Sequence, residues 1–360
     1  MKSTRMSLVV AVFLSSSLIP AQVLSAEAVW TQATRLEAMK TARVVADSDI
    51  NNISLRDVMK GPESKDAFSF MQEVTCTYQP TDLSDKGRTA KFYCLIDGED
   101  KPVKVKYGFQ RSEVFSPLAA TRLFWALGFP VEREYAVIVH CKDCPEDPFF
   151  YPRGERGIRR FEPAVIERKF AGKTIEATVN QGWAFGELDR ISEQSVGASV
   201  VQRDALKLLA GLVQHVDNGD RNQRLSCDKN ATTLGSDGNL HCTQATMFVH
   251  DLGLTFGSVK LLFSYRNMDL NWWKAEPIWR SLRRCQVNIP PFIISSMSHP
   301  YITDQAREYL AVRLKQLSDR QIEDVFRVSR VEEFGKGTVV DWASTLKQKI
   351  REITESRCGD

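Results

Sequence analysis

Eight cysteines, Cys76, Cys94, Cys141, Cys144, Cys227, Cys242, Cys285 and Cys358, restrict the folds open to this chain more than any other feature. Each bridge closes a loop that the topology must accommodate, and an even count in an exported chain argues for a full set of bridges. Proximity along the chain suggests Cys76–Cys94, Cys141–Cys144 and Cys227–Cys242, leaving Cys285–Cys358, among many possible connectivities. Cys141-Lys-Asp-Cys144 also has the spacing of a redox motif or of half a zinc site, but no second CxxC and no βαβ context accompany it.

Export is read from the first 28 residues. Lys2 and Arg5 supply a positive start, Leu8 to Ile19 an apolar stretch, and Leu24-Ser25-Ala26 or Ala26-Glu27-Ala28 a small-residue cleavage site. The apolar stretch is too short to span a bilayer of roughly 30 Å, and nothing later approaches a spanning length. No stable membrane anchor is therefore expected after cleavage, and the mature protein is expected in the periplasm or outside the cell. Lys and Arg number 48 against 45 Asp and Glu, a balance that gives no reason to expect nucleic acid as a partner. With 43% hydrophobic residues the mature part can fill the core of one large domain or of two packed lobes.

A leader segment (29–65) with one helix near Gln32–Val45 precedes three strand patterns: Phe68–Gln79, Ala90–Ile96 and Pro102–Tyr107. Asp97-Gly98 marks the turn between the last two. On the third, Val103 and Val105 point one way, Lys104 and Lys106 the other. A helix is predicted over Glu113–Leu127, with Ala120, Leu123, Phe124 and Leu127 at helical spacing and Gly128 as its stop. Strands at Tyr135–Val139 and Ala164–Phe170 flank a Pro-, Gly- and Arg-rich loop over Asp147–Arg160. A long helix near Ala198–His215, a Cys227–Cys242 excursion and a short strand Met247–His250 follow; from Asp269 the chain reads as mainly helical, with capping-box starts at Ser318 and Thr338. Trp183, Trp272, Trp273 and Trp279 are core candidates first and ligand-groove candidates second.

The residues able to carry chemistry come in a telling order. Lys106, with Lys104 beside it, stands on the third strand, and Glu113 opens the next helix. His215-Val-Asp217-Asn-Gly-Asp-Arg-Asn222 follows the long helix. Phe248-Val-His-Asp251-Leu-Gly253-Leu-Thr-Phe-Gly257 follows a short strand. Singly these are ordinary: a lysine on an alternating strand usually faces water, and Glu113 suits any helix N-terminus.

Together they resemble a divergent kinase. Gly219-Asp-Arg-Asn-Gln with Val249-His-Asp251-Leu-Gly is similar to segments of lipid kinases, and Glu113…Ala119-Ala120…Leu127-Gly128-Phe to the corresponding helix of HipA-type kinases. Secreted members of this divergent group include the CotH-like and secretory-pathway casein kinases. The chain also resembles uncharacterised bacterial exported proteins with a Lys-Val-Lys-Tyr-Gly and Asp-Leu-Gly-x-Thr-Phe-Gly signature. The resemblance spans about Phe68–Gly257.

It implies an α+β, two-lobed kinase-like fold: a small β-rich N-lobe with one long helix (66–175) and a mainly helical C-lobe (176–360). It implies a phosphotransferase passing a phosphoryl group from ATP or another nucleotide, with Mg²⁺, to an unknown acceptor. Asp217 would be the base, Lys106 the phosphate-binding cation paired with Glu113, and Asn222 and Asp251 the metal ligands. No GxGxxG lies between the first two strands; Lys86 and Arg88, around Gly87, are the candidate nucleotide contacts there. Asp220 is a rival base, but position +5 is then Leu225, which cannot bind metal. The alternatives are a non-catalytic kinase-like binding domain and a disulfide-stapled secreted structural protein.

Overall fold

The computed structural model describes residues 28–46, 49–80, 87, 89–109, 112–257, 259–261, 264–266, 268–293, 295–334 and 337–359. Residues 1–27 of the expected signal peptide, and Lys86 and Arg88, lie outside them.

The architecture is mixed α+β and contains a small closed five-stranded barrel. Helix α1 (Gln32–Thr41) starts on a capping box in which Thr31 and Thr34 satisfy each other's backbone N–H groups. Strands β1 (Gln72–Gln79), β2 (Lys91–Ile96) and β3 (Val103–Tyr107) precede helix α2 (Ser116–Ala126), and β4 (Arg133–Pro145) and β5 (Arg156–Arg168) follow it. The strand order is β1-β2-β3-β5-β4, antiparallel throughout until a parallel β1–β4 pairing closes the barrel. Side chains alternating inward, Val105, Phe92, Tyr135, Val137 and Ile166 among them, fill the interior.

Two boundaries differ from the sequence reading for physical reasons. The helix predicted from Glu113 begins at Ser116, and Ser112–Val114 forms a separate 3₁₀ turn. Had the helix started at Glu113, Pro117 would sit five positions in, where its missing N–H loses the bond to the Glu113 carbonyl; in the first turn that N–H is not needed. The predicted Asp147–Arg160 loop is partly strand: β4 and β5 extend as a ribbon pairing Cys144 with Gly157 and Pro145 with Arg156. Its outer residues Arg156, Ile158 and Arg160 are all exposed, so the apolar alternation that announces a half-buried strand is absent. Gly128 ends α2 as expected: at φ 85° its N–H reaches Trp125 O (3.0 Å), and Phe129 N–H reaches Phe124 O (2.9 Å).

The rest of the chain adds β6 (Lys173–Thr174), α3 (Val200–Leu212), β7 (Gln223–Cys227), the β8–β9 hairpin (Thr232–Leu234, Leu240–Cys242) and β10 (Ala245–Val249). Strands β10, β7 and β6 form a small sheet. Helices α4 (Leu270–Ala275), α5 (Asp304–Leu314), α6 (Asp319–Val328) and α7 (Val339–Thr354) complete it; Ser318 and Thr338 form the expected capping boxes. Short strands at Trp279–Ser281 and Gln286–Val287 break the mainly helical reading of this half.

A second, larger core joins α1, α2, α3 and α5 to α7. Trp273 and Trp342 stack there with ring centroids 5.7 Å apart, and Trp183 is wholly buried, so these rings pack the core instead of lining a groove. The leader segment belongs to this core through Trp30, Ala38, Met39 and Val44, and its buried Arg35 pairs with Glu187. All four disulfides, Cys76–Cys94, Cys141–Cys144, Cys227–Cys242 and Cys285–Cys358, are those suggested by proximity. Such a set marks a chain matured in an oxidising compartment. Among the described residues no helix is long and apolar enough to cross a membrane.

Candidate active site

The outer face of the barrel carries charge where its interior carries hydrocarbon. Alternation puts Lys104 and Lys106 on that face, and strand register sets Lys104 opposite Glu167 of β5, itself opposite Glu134 of β4. Lys106 is only 4% exposed. Its Nζ lies 2.8 Å from Glu134 Oε1 and 3.5 Å from Glu167 Oε2, and Lys104 Nζ lies 2.6 Å from Glu167 Oε1. The expected Lys106–Glu113 pairing is therefore corrected: the ion-pair partners of Lys106 are Glu134 and Glu167. Register brings those two acids across the sheet, while Pro117 keeps Glu113 on the turn before α2.

Glu113 nonetheless reaches the same cluster from the other side. A Cβ added to Gly253 would stand 3.0 Å from both Glu113 Cγ and Asp251 Oδ1, so a side chain there would crowd the two acids.

The second half of the site hangs from the end of α3. Asn218, fully buried in the loop after that helix, donates to Met297 O (2.9 Å) and accepts from the Ser296 and Met297 N–H groups (2.8 and 3.0 Å). With the loop so anchored, Asn222 Nδ2 donates to Asp217 O (3.2 Å), and Asn222 O accepts from the His250 and Asp251 N–H groups (3.0 Å each). Gly253 N–H donates to Asp251 Oδ1 (2.8 Å), and Ser116 Oγ donates to Gly253 O (2.7 Å), which ties the start of α2 to the same turn. Asp217, Asn222 and Asp251 are thus joined through a short chain of hydrogen bonds. Asp220, the rival of Asp217, accepts instead from Asn180 Nδ2 at 3.1 Å.

Electrostatics sets the two aspartates apart. Burial would raise the Asp251 carboxyl, but Lys106, His250, the Gly253 N–H and Lys104 hold it well below the usual carboxylate range. Burial first, and then the negative charge of Asp251, raise Asp217 to about 7. Burial opposes the charge on Lys106, yet Glu134, Asp251 and Glu167 keep it protonated to well above the ordinary lysine range. Glu134 is raised by burial despite Lys106, because Glu167 and Asp251 add further negative charge. Burial and neighbouring Lys104 lower Lys91, which faces Asp251 and Glu113. A carboxylate fixed as an anion suits a cation, and one poised near neutrality suits proton exchange.

Lys86 and Arg88 lie outside the described residues. Gly87 between them sits at φ 60°, and a Cβ there would lie 3.6 Å from Lys91 Nζ, so Gly87 stands beside that lysine of the charged cluster. Sequence reasoning missed Lys91, Glu134, Glu167, Asn218 and His250. The signal that could have found Glu134 and Glu167 is an acid set against an otherwise apolar strand run, Glu134-Tyr-Ala-Val and Ala164-Val-Ile-Glu167. Elsewhere a cavity of about 300 Å³ is lined by Leu188, Asp189, Arg203, Asp204 and Tyr301 among others, but the buried Lys207 already pairs with both of its aspartates.

No protein-family model matches the chain, and no curated protein matches it in sequence.

Proposed function

We propose that this protein is an exported, Mg²⁺-dependent phosphotransferase of two-lobed, kinase-like build, acting on an acceptor hydroxyl. The observation that carries the reading is the pairing of an ionised Asp251 with an Asp217 that titrates near 7, joined through Asn222, with Asp251 beside the lysines of the barrel face. The element order supports it: three strands, a helix and two strands precede α3 and its loop, the order the resemblance requires.

The residues fit the implied groups in specific ways. Asn222 is anchored through Nδ2, which leaves Oδ1 as an oriented oxygen donor, and Asp251 is a preformed anion; hard oxygen ligands of this kind suit Mg²⁺. A bound Mg²⁺–nucleotide would supply the activated phosphoryl group. Asp217, half-charged near neutral pH, accepts the proton of the acceptor hydroxyl and orients it. Lys91 and Lys106 present positive charge toward Asp251, and Glu134 and Glu167 hold Lys106 in one direction.

One observation favours a second reading, nucleotide binding without transfer. Lys106 is almost wholly buried and already neutralised by two carboxylates, which weakens its claim on a phosphate. The test uses thermal stabilisation by Mg²⁺-ATP together with transfer of labelled γ-phosphate, autophosphorylation included. Asp251→Asn is expected to lose the stabilisation, and Asp217→Asn to keep it while losing transfer. Stabilisation without transfer in the wild type selects the binding reading. Absence of both, across nucleotides and divalent ions, returns the protein to the structural class.

A further inference from the structure

Glu132 is a buried acid with an unsatisfied oxygen. The residue is 3% exposed, and its Oε2 has no hydrogen-bond partner. A buried carboxylate oxygen left without a partner is costly, so such a group points to a cation that completes it. The nearest positive candidate is His250, whose Nδ1 lies 3.7 Å from Glu132 Oε2. That is too long for an N–H···O hydrogen bond, which ends near about 3.2 Å. It is close to the separation of two donors that share one metal ion: with each bond about 2.1 Å, tetrahedral to trigonal angles set donors about 3.4–3.6 Å apart.

Glu167 completes a triad. Ligand atoms of Glu132, Glu167 and His250 all lie within 4.8 Å of one another, and Glu167 Oε2 is buried with no hydrogen bond, its contact being the 3.5 Å ion pair to Lys106 Nζ. The three come from different elements, held side by side by backbone pairing. Val131 bridges to Val249, Glu132 N–H bonds Val249 O (3.0 Å), and Glu134 of the adjoining strand β4 stands opposite Glu167. Charge argues the same way. Glu132, Glu134, Glu167 and Asp251 share this poorly solvated place with Lys91, Lys104 and Lys106, and among the described residues no lysine ion pair reaches Glu132.

We propose that Glu132, Glu167 and His250 form a site for a divalent first-row transition ion, separate from the Asp217–Asn222–Asp251 cluster and independent of whether the protein transfers phosphate. Imidazole with carboxylates suits Zn²⁺ or Mn²⁺ over Mg²⁺. Two ligands are buried and His250 is half-buried, so a fourth position stays open to water. The ion ties the start of β4 and the end of β5 to His250, whose neighbour is Asp251. It therefore fixes the Asp251 segment onto the barrel.

The test is metal content and metal-linked stability of the full mature chain, purified with its disulfides intact. After chelation and dialysis, titration with Zn²⁺ or Mn²⁺ is expected to restore one tightly held equivalent and raise the melting temperature by several degrees. Co²⁺ in its place is expected to give the visible absorption of a four- or five-coordinate ion. Glu132→Gln and His250→Ala are each expected to weaken binding at least tenfold and abolish the Co²⁺ spectrum, while Asp251→Asn keeps both. The proposal is overturned if the chelated wild type neither binds nor is stabilised by Zn²⁺, Mn²⁺ or Co²⁺. It is equally overturned if both triad variants bind as well as the wild type. It also fails if the stability gap between wild type and His250→Ala persists unchanged in chelator and tracks pH alone, because a proton on His250 is then the partner of Glu132.

Discussion

The two faces of one barrel make opposite use of the same five strands. Inside, Phe92 packs against Tyr107 and Phe161 with ring centroids 5.6 and 4.9 Å away, and two disulfides touch, Cys94 Sγ lying 3.8 Å from Cys141 Sγ. Outside, one residue further along the same strands, Lys106, Glu134 and Glu167 are buried as charges, with Lys104 half-buried beside them. Hydrocarbon burial is favourable on its own, whereas buried charge is tolerated only while each partner is present. The contrast teaches that the interior holds the barrel together on its own, whereas the outer face depends on every charge keeping its partner.

The sharpest way to break this contrast is to remove a single charge. Lys106→Ala leaves Glu134 and Glu167 facing each other in a dry site, and is expected to destabilise by about 3–5 kcal/mol in denaturant unfolding. Replacing the charged pair by apolar residues, Lys106→Met with Glu134→Leu, is expected to recover most of that loss. If the double variant is no better than the single one, the outer face contributes stability after all.

The interior comes next. Cys76→Ala with Cys94→Ala opens the staple between β1 and β2 and is expected to lose about 2–5 kcal/mol, read from the same unfolding curves. A loss well below that range would mean that the aromatic packing around Phe92 suffices without the bridge.

A smaller effect carries a pH signature. The Asp217 carboxyl titrates near 7 in the fold against 3.8 for a free side chain, so the folded state binds this proton more tightly. The stability it contributes is complete below about pH 4 and lost as pH rises through 7. Asp217→Asn is therefore expected to match the wild type near pH 4 and exceed it above pH 7. The rise from 3.8 to about 7 sets a ceiling of about 4 kcal/mol on that gain, and about 2 is expected for a group still in contact with water. If the protein is a phosphotransferase, its rate rises with an apparent pKa near 7 on the same titration. A variant that shows no gain at high pH would place Asp217 in water.

The smallest effect lies far from both faces. Ser199→Ala removes the capping box of α3, where Ser199 and Gln202 each accept the other's backbone N–H, and is expected to cost about 1 kcal/mol while leaving metal and nucleotide binding unchanged.

Much of this molecule was legible in one dimension. Three of the disulfide pairs followed from proximity, since a short loop is cheaper to close than a long one, and the fourth, Cys285–Cys358, 73 residues apart, was the pair left over. The stop at Gly128, the capping boxes at Ser318 and Thr338, and the alternation of valine and lysine on β3 depend on backbone geometry within a few residues. Asp217, Asn222 and Asp251 were singled out through the resemblance to kinase segments, and the structure adds the hydrogen bonds that join them.

What only the tertiary structure decided is who meets whom. Lys106 takes Glu134 and Glu167 rather than Glu113, because strand register, set by the whole barrel, chooses the neighbour across the sheet. The parallel β1–β4 closure, the exposed ribbon beyond Cys144, and the meeting of Glu132 with His250 are of the same kind. The physical reason is range. Caps, turns and short bridges are settled by local dihedrals and loop entropy, which the order of residues states directly. Burial and electrostatic partnership depend on chain segments far apart in sequence that come together only when the barrel closes and the second core packs against it.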